Sequence, residues 1–290
     1  MSKLKLGIPK GSLEAATIEL FAQAGWTITS GSRNYFPSID DEDISCALVR
    51  SQEMGPYIAG GTLDAGLTGI DWLLETRADV VTVRDLVYSK ASDQPCRWVL
   101  VVDRDSPIQS VEDLQGKRVA TELVDYTRRY LAERGVEAEV EFSWGATEAK
   151  VVEGMADAAV EITETGSTIR AHGLRIVCDL LHTHTVLVAN KEALDDAWKK
   201  TKIEEIALLL TSALAARHKV LLKMNVPSKA LDQVVNVLPS LHAPTVNQLA
   251  DKDWLALETV VDRDRVRSLI PKLSAVGAEG ILELDLQKIC

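Results

Sequence analysis

One pattern constrains the fold of this chain most. Short apolar runs end in a charged or hydroxyl residue, pass through a glycine-containing turn, and give way to helical spacing. Leu4 to Ile8 is such a run. Pro9-Lys10-Gly11-Ser12 follows, then Leu13, Ala16, Thr17 and Leu20 at helical spacing, with Gly25 where a helix would be capped. Asp43 to Val49 ends in Arg50 before a helix over Glu53 to Ala59, and Leu63 to Leu67 runs through Thr68-Gly69-Ile70-Asp71 into a helix from Trp72. Strand–turn–helix alternation of this kind predicts an α/β fold with parallel strands. Such sheets take ligands at the carboxyl ends of their strands, where these turns lie.

A polar stretch, Ser89 to Pro95, separates this part from a second β/α unit. Its strands are read at Cys96–Val102, Arg118–Thr121, Val136–Phe142 and Ala158–Ile162, and its helices at Asp125–Arg134 and Thr147–Gly154. Ser110-Val-Glu-Asp113 reads as a capping box. A strand over His184–Ala189 is expected to return to the first unit, and a long apolar-faced helix covers Ile203–Arg217. The tail reads as β-α-β-β-α-β, the ferredoxin-like order, with Pro271 kinking or bounding its second helix. The expected domains are therefore 1–93 with 185–216, then 94–184, then 217–290.

Charge and composition exclude several functions. Lys and Arg total 32 against 43 Asp and Glu, a net charge of -11, and no basic stripe is visible. A general nucleic-acid binder is not expected. No run approaches the ~18 apolar residues of a membrane span, and the N-terminal apolar run is too short for a signal peptide. A soluble, cytoplasmic protein is expected. Cys46, Cys96, Cys178 and Cys290 are widely spaced and read as free thiols. His182 and His184 would share one face of a strand, but without a third ligand nearby they read as structural.

The most informative segment is Asp157-Ala-Ala-Val-Glu161-Ile-Thr163-Glu164-Thr165-Gly166-Ser167-Thr168. An apolar strand meets an acid, then a hydroxyl-and-glycine turn, then a short helix. The backbone N–H groups and hydroxyls of the turn can wrap a phosphate, helped by the helix N-terminus. An acid just before it suits the hydroxyls of an attached ribose. The turn lacks the lysine of a Walker A loop. The same residues also suit a plain helix cap with a solvated glutamate. Lys10 and Gly11 offer a second anion seat, and Arg50 a clamp for phosphate oxygens. Asp71 either lines the site or caps its helix.

These segments together resemble the ATP phosphoribosyltransferase family in its long form. The resemblance rests on Pro9-Lys10-Gly11, on Leu48-Val49-Arg50, and on Gly61-Thr-Leu-Asp64-Ala-Gly-Leu-Thr-Gly69-Ile-Asp71. It rests further on Arg118-Val-Ala-Thr121, on Glu161-Ile-Thr-Glu-Thr-Gly-Ser-Thr168, and in the tail on Ala243-Pro-Thr245, Leu249-Ala-Asp251, Asp253-Trp254 and Gly277-Ala278. It implies two periplasmic-binding-protein-like α/β domains with a cleft, plus a C-terminal ferredoxin-like regulatory domain.

The implied reaction transfers the phosphoribosyl group of phosphoribosyl pyrophosphate to N1 of ATP, releasing pyrophosphate. It is the first step of histidine biosynthesis. The resemblance also implies Mg2+ held mainly by the substrate pyrophosphate, inhibition by histidine, and dimers or hexamers. Carried over by position, Lys10, Arg50 and Glu161 are the catalytic candidates. Gly11, Ser12, Gly69, Asp71, Thr163, Glu164, Thr165, Gly166, Ser167 and Thr168 are the substrate-binding candidates. Asn225, Thr245 and Gly280 would meet the inhibitor.

This chain has Glu161 where many relatives have Asp, and Ser12 where Arg is frequent. Leu123-Val124 replaces a common Tyr-Pro, so no aromatic contact to adenine is expected from that turn. Asn225 stands where some relatives have Asp. The alternative reading is a cytosolic two-lobed small-molecule sensor or a catalytically inactive homologue.

Overall fold

The computed structural model describes residues 3–29, 31, 35–90, 92–239 and 243–290. The first part of the chain runs β1 (Leu4–Lys10), α1 (Glu14–Ala24), a two-residue pair β2 (Ile28–Thr29) and β3 (Ser38–Ile39), β4 (Ile44–Arg50), α2 (Ser51–Ala59), β5 (Ala65–Gly69), α3 (Ile70–Thr76) and β6 (Val81–Leu86). The second runs β7 (Cys96–Asp103), β8 (Arg118–Thr121), α4 (Val124–Ala132), β9 (Glu139–Phe142), α5 (Thr147–Val152), β10 (Ala158–Thr163), α6 (Ser167–Ala171) and β11 (Leu174–Thr183). Then β12 (Thr185–Ala189) joins the first sheet, followed by α7 (Lys191–Asp195) and α8 (Ala197–Arg217).

The two sheets share one plan. The first has the order β4-β1-β5-β12-β6 and the second β9-β8-β10-β7-β11. In each, three strands run parallel, and the fourth, β12 or β7, is antiparallel to its neighbours. Each antiparallel strand is the one that has just crossed from the other sheet. The chain thus crosses twice, between β6 and β7 and at His184. This is the two-lobed, periplasmic-binding-protein-like arrangement that the resemblance implied. Strands β5 and β12 are buried along their whole length, as expected of strands covered on both faces.

Four strands were not anticipated from the sequence: the two-residue pair β2 and β3, then β6 and β11. β6 lies at a sheet edge, and its alternation of Val81 and Val83 with Thr82 and Arg84 is broken at Asp85. β11 pairs with β7 through two register irregularities, which break the two-residue alternation that would have marked it. The capping box is half realised: the Asp113 carboxylate accepts from the Ser110 N–H at 3.0 Å, but Val111 rather than Ser110 precedes the short 3-10 turn.

By residue contacts the chain separates into two units, 1–22 with 26–207, and 23–25 with 208–290. In the second unit β13 (Lys219–Pro227), α9 (Leu231–Val237), β14 (Thr245–Gln248), β15 (Trp254–Asp262), α10 (Arg263–Ala275) and β16 (Glu279–Asp285) form an antiparallel sheet of order β14-β15-β13-β16. That is the ferredoxin-like order. Val220, Leu222, Met224 and Val226 of β13 alternate onto one face and pack with Val234 of α9 and Val266, Leu269 and Leu273 of α10. Pro271 does not bound α10, which continues to Ala275. Among the described residues, no helix is long and apolar enough to cross a membrane.

Candidate functional site

Strand register brings the first group of candidates together. β1 and β4 pair in parallel so that Lys10 stands directly beside Arg50. Both are the last residues of their strands, which places two cations at one carboxyl edge. β1 also pairs in parallel with β5, Leu6 beside Ala65 and Gly7 beside Gly66, so Gly69, the last residue of β5, lies toward the same side of the sheet. The Lys10 ammonium lies 3.7 Å from the centre of the Tyr35 ring, an attraction that orients it. Gly11 has φ of +104°, a left-handed conformation that suits glycine, and Ser12 is exposed.

Asp71, read as lining the site or capping its helix, is buried. It is only 3% exposed, and its Oδ2 accepts the Trp98 indole N–H at 2.7 Å. Its backbone N–H donates to the Thr183 hydroxyl at 3.2 Å. Burial pushes its carboxyl above the usual range, although the hydrogen bonds from Trp98 and Thr183 partly oppose this. Trp98 and Thr183 belong to strands next to the two crossings, so Asp71 pins the first lobe to the second. The geometry also explains Gly69: a Cβ there would lie 2.0 Å from the Asp71 Oδ1. Asp64 is structural as well. It takes the Lys5 backbone N–H and the Lys199 ammonium, each at 2.8 Å.

The second lobe supplies Glu161 on β10 and the turn after it. β8 pairs in parallel with both β10 and β9, so Val160, Thr121 and Phe142 form one row across the sheet. Glu161, Glu122 and Ser143 come next, at the carboxyl edge. Burial, with the negative charges of Glu148 and Glu122 adding to it, pushes the Glu161 carboxyl up to about 7. The Thr147 hydroxyl partly offsets this, but it stands outside hydrogen-bond geometry, and its buried oxygen has no hydrogen-bond partner. Glu122 is raised too, by burial. Nothing in the local sequence around Glu161 marked Glu122 or Glu148 as its neighbours.

In the turn, the Gly166 N–H donates to the Thr163 hydroxyl at 2.8 Å, and the Ser167 N–H to the Thr165 hydroxyl at 3.3 Å. Thr165, Ser167 and Thr168 are exposed, and Gly166 has φ of +72°. α6 has only five residues, so its dipole adds little and the cradle is made of hydroxyls and turn N–H groups. The sequence reading missed Arg170. Its guanidinium donates to the Thr165 carbonyl at 3.1 Å, placing a third cation beside the turn. The helical spacing from Gly166 was the available clue.

Glu164 points back to the crossing segment. Its Oε1 accepts from the Ser89 hydroxyl at 2.6 Å and its Oε2 from the Ser92 hydroxyl at 2.9 Å. The two carboxyl edges also meet directly, for the Gln52 amide, two residues after Arg50, donates to Glu122 at 3.4 Å. Lys10 and Arg50 therefore border the same cleft as Glu161. Among the described residues, no group of three His, Cys, Asp or Glu side chains could hold a metal ion. His182 and His184 lie instead against Asp179 and Asp85, at 3.6 and 3.1 Å. All four cysteines are free thiols.

In the C-terminal unit, Asn225 and Gly280 come together: a Cβ on Gly280 would lie 3.6 Å from the Asn225 amide nitrogen. Thr245 pairs with Glu258 on β15, two strands away from β16's partner edge of β13.

The family model for ATP phosphoribosyltransferase (HisG) matches residues 50–212, and the model for the HisG C-terminal domain matches residues 216–288. An ATP phosphoribosyltransferase of Desulfatibacillum aliphaticivorans is 59% identical over 99% of this chain and 98% of its own length. One of Desulfosudis oleivorans is 60% identical over the same shares. Among solved structures, a chain of the ATP phosphoribosyl transferase (HisG:HisZ) complex from Thermotoga maritima superposes with a TM-score of 0.62 at 26% identity, covering 72% of this chain and 98% of that one. The paired cations, the acid and the hydroxyl turn thus sit in a chain that belongs to the ATP phosphoribosyltransferase family, in the long form with its C-terminal domain.

Proposed function

We propose that the cleft transfers the phosphoribosyl group of phosphoribosyl pyrophosphate to N1 of ATP, with the sugar phosphate on the second lobe and the leaving pyrophosphate against the first. The reaction is that of the family. The assignment of its parts to residues rests on one observation: Lys10 and Arg50 lie side by side on an edge that meets, through Gln52 and Glu122, the edge bearing Glu161 and the hydroxyl turn.

Adenine N1 carries a free lone pair, so no strong base is needed to begin the reaction. The barrier lies in breaking the bond between C1 and the pyrophosphate oxygen while N1 approaches from the opposite side. Catalysis is then positioning together with charge stabilisation. Thr165, Ser167 and Thr168 hold the 5-phosphate with the N–H groups of the turn, and Arg170 supplies charge nearby. Glu161 accepts the ribose hydroxyls. Ionised, it also favours the positive charge that develops on the sugar. Lys10 and Arg50 stabilise the departing pyrophosphate. Mg2+ would enter with the hard oxygens of that diphosphate.

The domains follow the two crossings and the sheet boundaries: 1–93 with 185–216, 94–184, and 217–290. Histidine is the proposed inhibitor of the C-terminal domain, through Asn225, Gly280 and, further along the sheet, Thr245. Homo-oligomers, as dimers or hexamers, belong to the same proposal.

The test is pyrophosphate release from ATP and phosphoribosyl pyrophosphate with Mg2+, with and without free histidine. Release that needs both substrates is expected, reduced by histidine. No release with both substrates saturating would refute the transfer, and release indifferent to histidine would refute the inhibitor assignment.

A further inference from the structure

Trp144 lies outside the core, for it is 85% exposed. A large aromatic ring left in water at a strand end calls for an explanation. It stands just past the end of β9, against Phe142, with ring centres 4.8 Å apart at 84°. This edge-to-face contact holds the indole while leaving ring surface open. The backbone after it is unusual: Gly145 has φ of +84°, and Ala146, which has a Cβ, has φ of +48°. Strained turns of this kind persist where surrounding structure imposes them, often at ligand sites. The same turn contains Ser143 and Thr147, whose buried hydroxyls have no hydrogen-bond partner among the described residues.

Register locates the ring. Phe142, Thr121 and Val160 share a row across three parallel strands, so Trp144 lies at the same carboxyl edge as Glu161. The two are two strand spacings apart, about 10 Å, which is the reach of a ribose with a purine placed beside its C1. The turn after β8 offers no aromatic ring, being formed by Glu122, Leu123 and Val124.

We infer that Trp144, steadied by Phe142, is the platform on which the adenine ring of ATP stacks when N1 is presented to a sugar held at Glu161. This rests on the proposed function and adds the residue that would recognise the nucleobase. Stacking on an aromatic ring is sequence-tolerant and strong enough for about a ten-fold change in affinity.

The experiment compares the full-length protein with Trp144→Ala and Trp144→Tyr. Pyrophosphate release is measured with each substrate varied in turn, and ATP binding is followed by calorimetry. Trp144→Ala is expected to raise the KM for ATP about ten-fold, leaving the KM for phosphoribosyl pyrophosphate and the melting temperature as in the parent. Trp144→Tyr restores ATP binding. An unchanged KM for ATP in Trp144→Ala, or an equal rise for both substrates, would overturn the inference. If the parent releases no pyrophosphate, the transfer reading fails by itself. Calorimetry then decides the stacking: weaker ATP binding by Trp144→Ala upholds it, and equal binding removes it.

Discussion

The raised carboxyl of Glu161 makes a prediction that joins stability to catalysis. Its ordinary value is 4.5, and the folded protein moves it to about 7. The folded state therefore binds a proton more tightly than the unfolded chain. A group shifted in this direction costs nothing below pH 4.5, costs progressively more between 4.5 and 7, and a constant amount above. A shift of this size corresponds to a ceiling of about 3 kcal/mol, which solvent at the partly exposed carboxyl reduces.

Glu161→Gln keeps the shape and removes the titration. Denaturant unfolding of parent and variant at pH 4.5 and pH 8 should show a gap that opens toward pH 8, with the variant gaining about 1–3 kcal/mol relative to the parent. Turnover should move the other way, falling about 100-fold or more as stabilisation of the sugar is lost. In the parent, turnover should rise as pH increases through about 7, as the carboxylate forms. In the variant that limb should be missing. A stability difference independent of pH would refute the electrostatic argument. Parental turnover at saturating substrates would remove Glu161 from the site.

Three further outcomes are expected. Gly69→Ala puts a methyl group within 2.0 Å of the Asp71 Oδ1 and should displace the carboxylate from Trp98, lowering stability by about 3 kcal/mol in thermal unfolding; a parental melting temperature would show that the contact is readily relieved. Asp64→Ala leaves Lys199 and the Lys5 N–H without their acceptor and should cost about 3 kcal/mol, whereas the double change Asp64→Ala with Lys199→Met should recover part of it; identical losses in both would count against the pair. Glu164→Ala frees the hydroxyl turn from Ser89 and Ser92 and should raise the KM for phosphoribosyl pyrophosphate several-fold while sparing that for ATP; a selective effect on ATP would contradict the tether.

Much of the architecture was legible locally. Apolar runs ending in Lys10, Arg50, Gly69 and Glu161 marked strands and their carboxyl ends, because strand burial and turn chemistry leave their signature within a few residues. The β-α-β-β-α-β tail was readable for the same reason. Local pattern could not reveal β11, whose irregular pairing with β7 disrupts its alternation. Nor could it tell which groups an acid at a strand end would meet. Asp71 and Glu161 follow similar apolar strands, yet Asp71 is sealed under Trp98 and Glu161 sits beside Glu122 and Glu148.

The residues themselves determined which chemistry was present: cations, an acid, and a turn of hydroxyls and glycine, in an order that already resembled one family. Only the tertiary structure decided which of these groups meet and in what state. Parallel pairing placed Lys10 beside Arg50, forty residues away in the chain. The two crossings brought the edges of separate sheets together, captured Glu164, and left Trp144 in water. Burial and charge interactions depend on distance in space, and for those pairs distance along the chain says almost nothing.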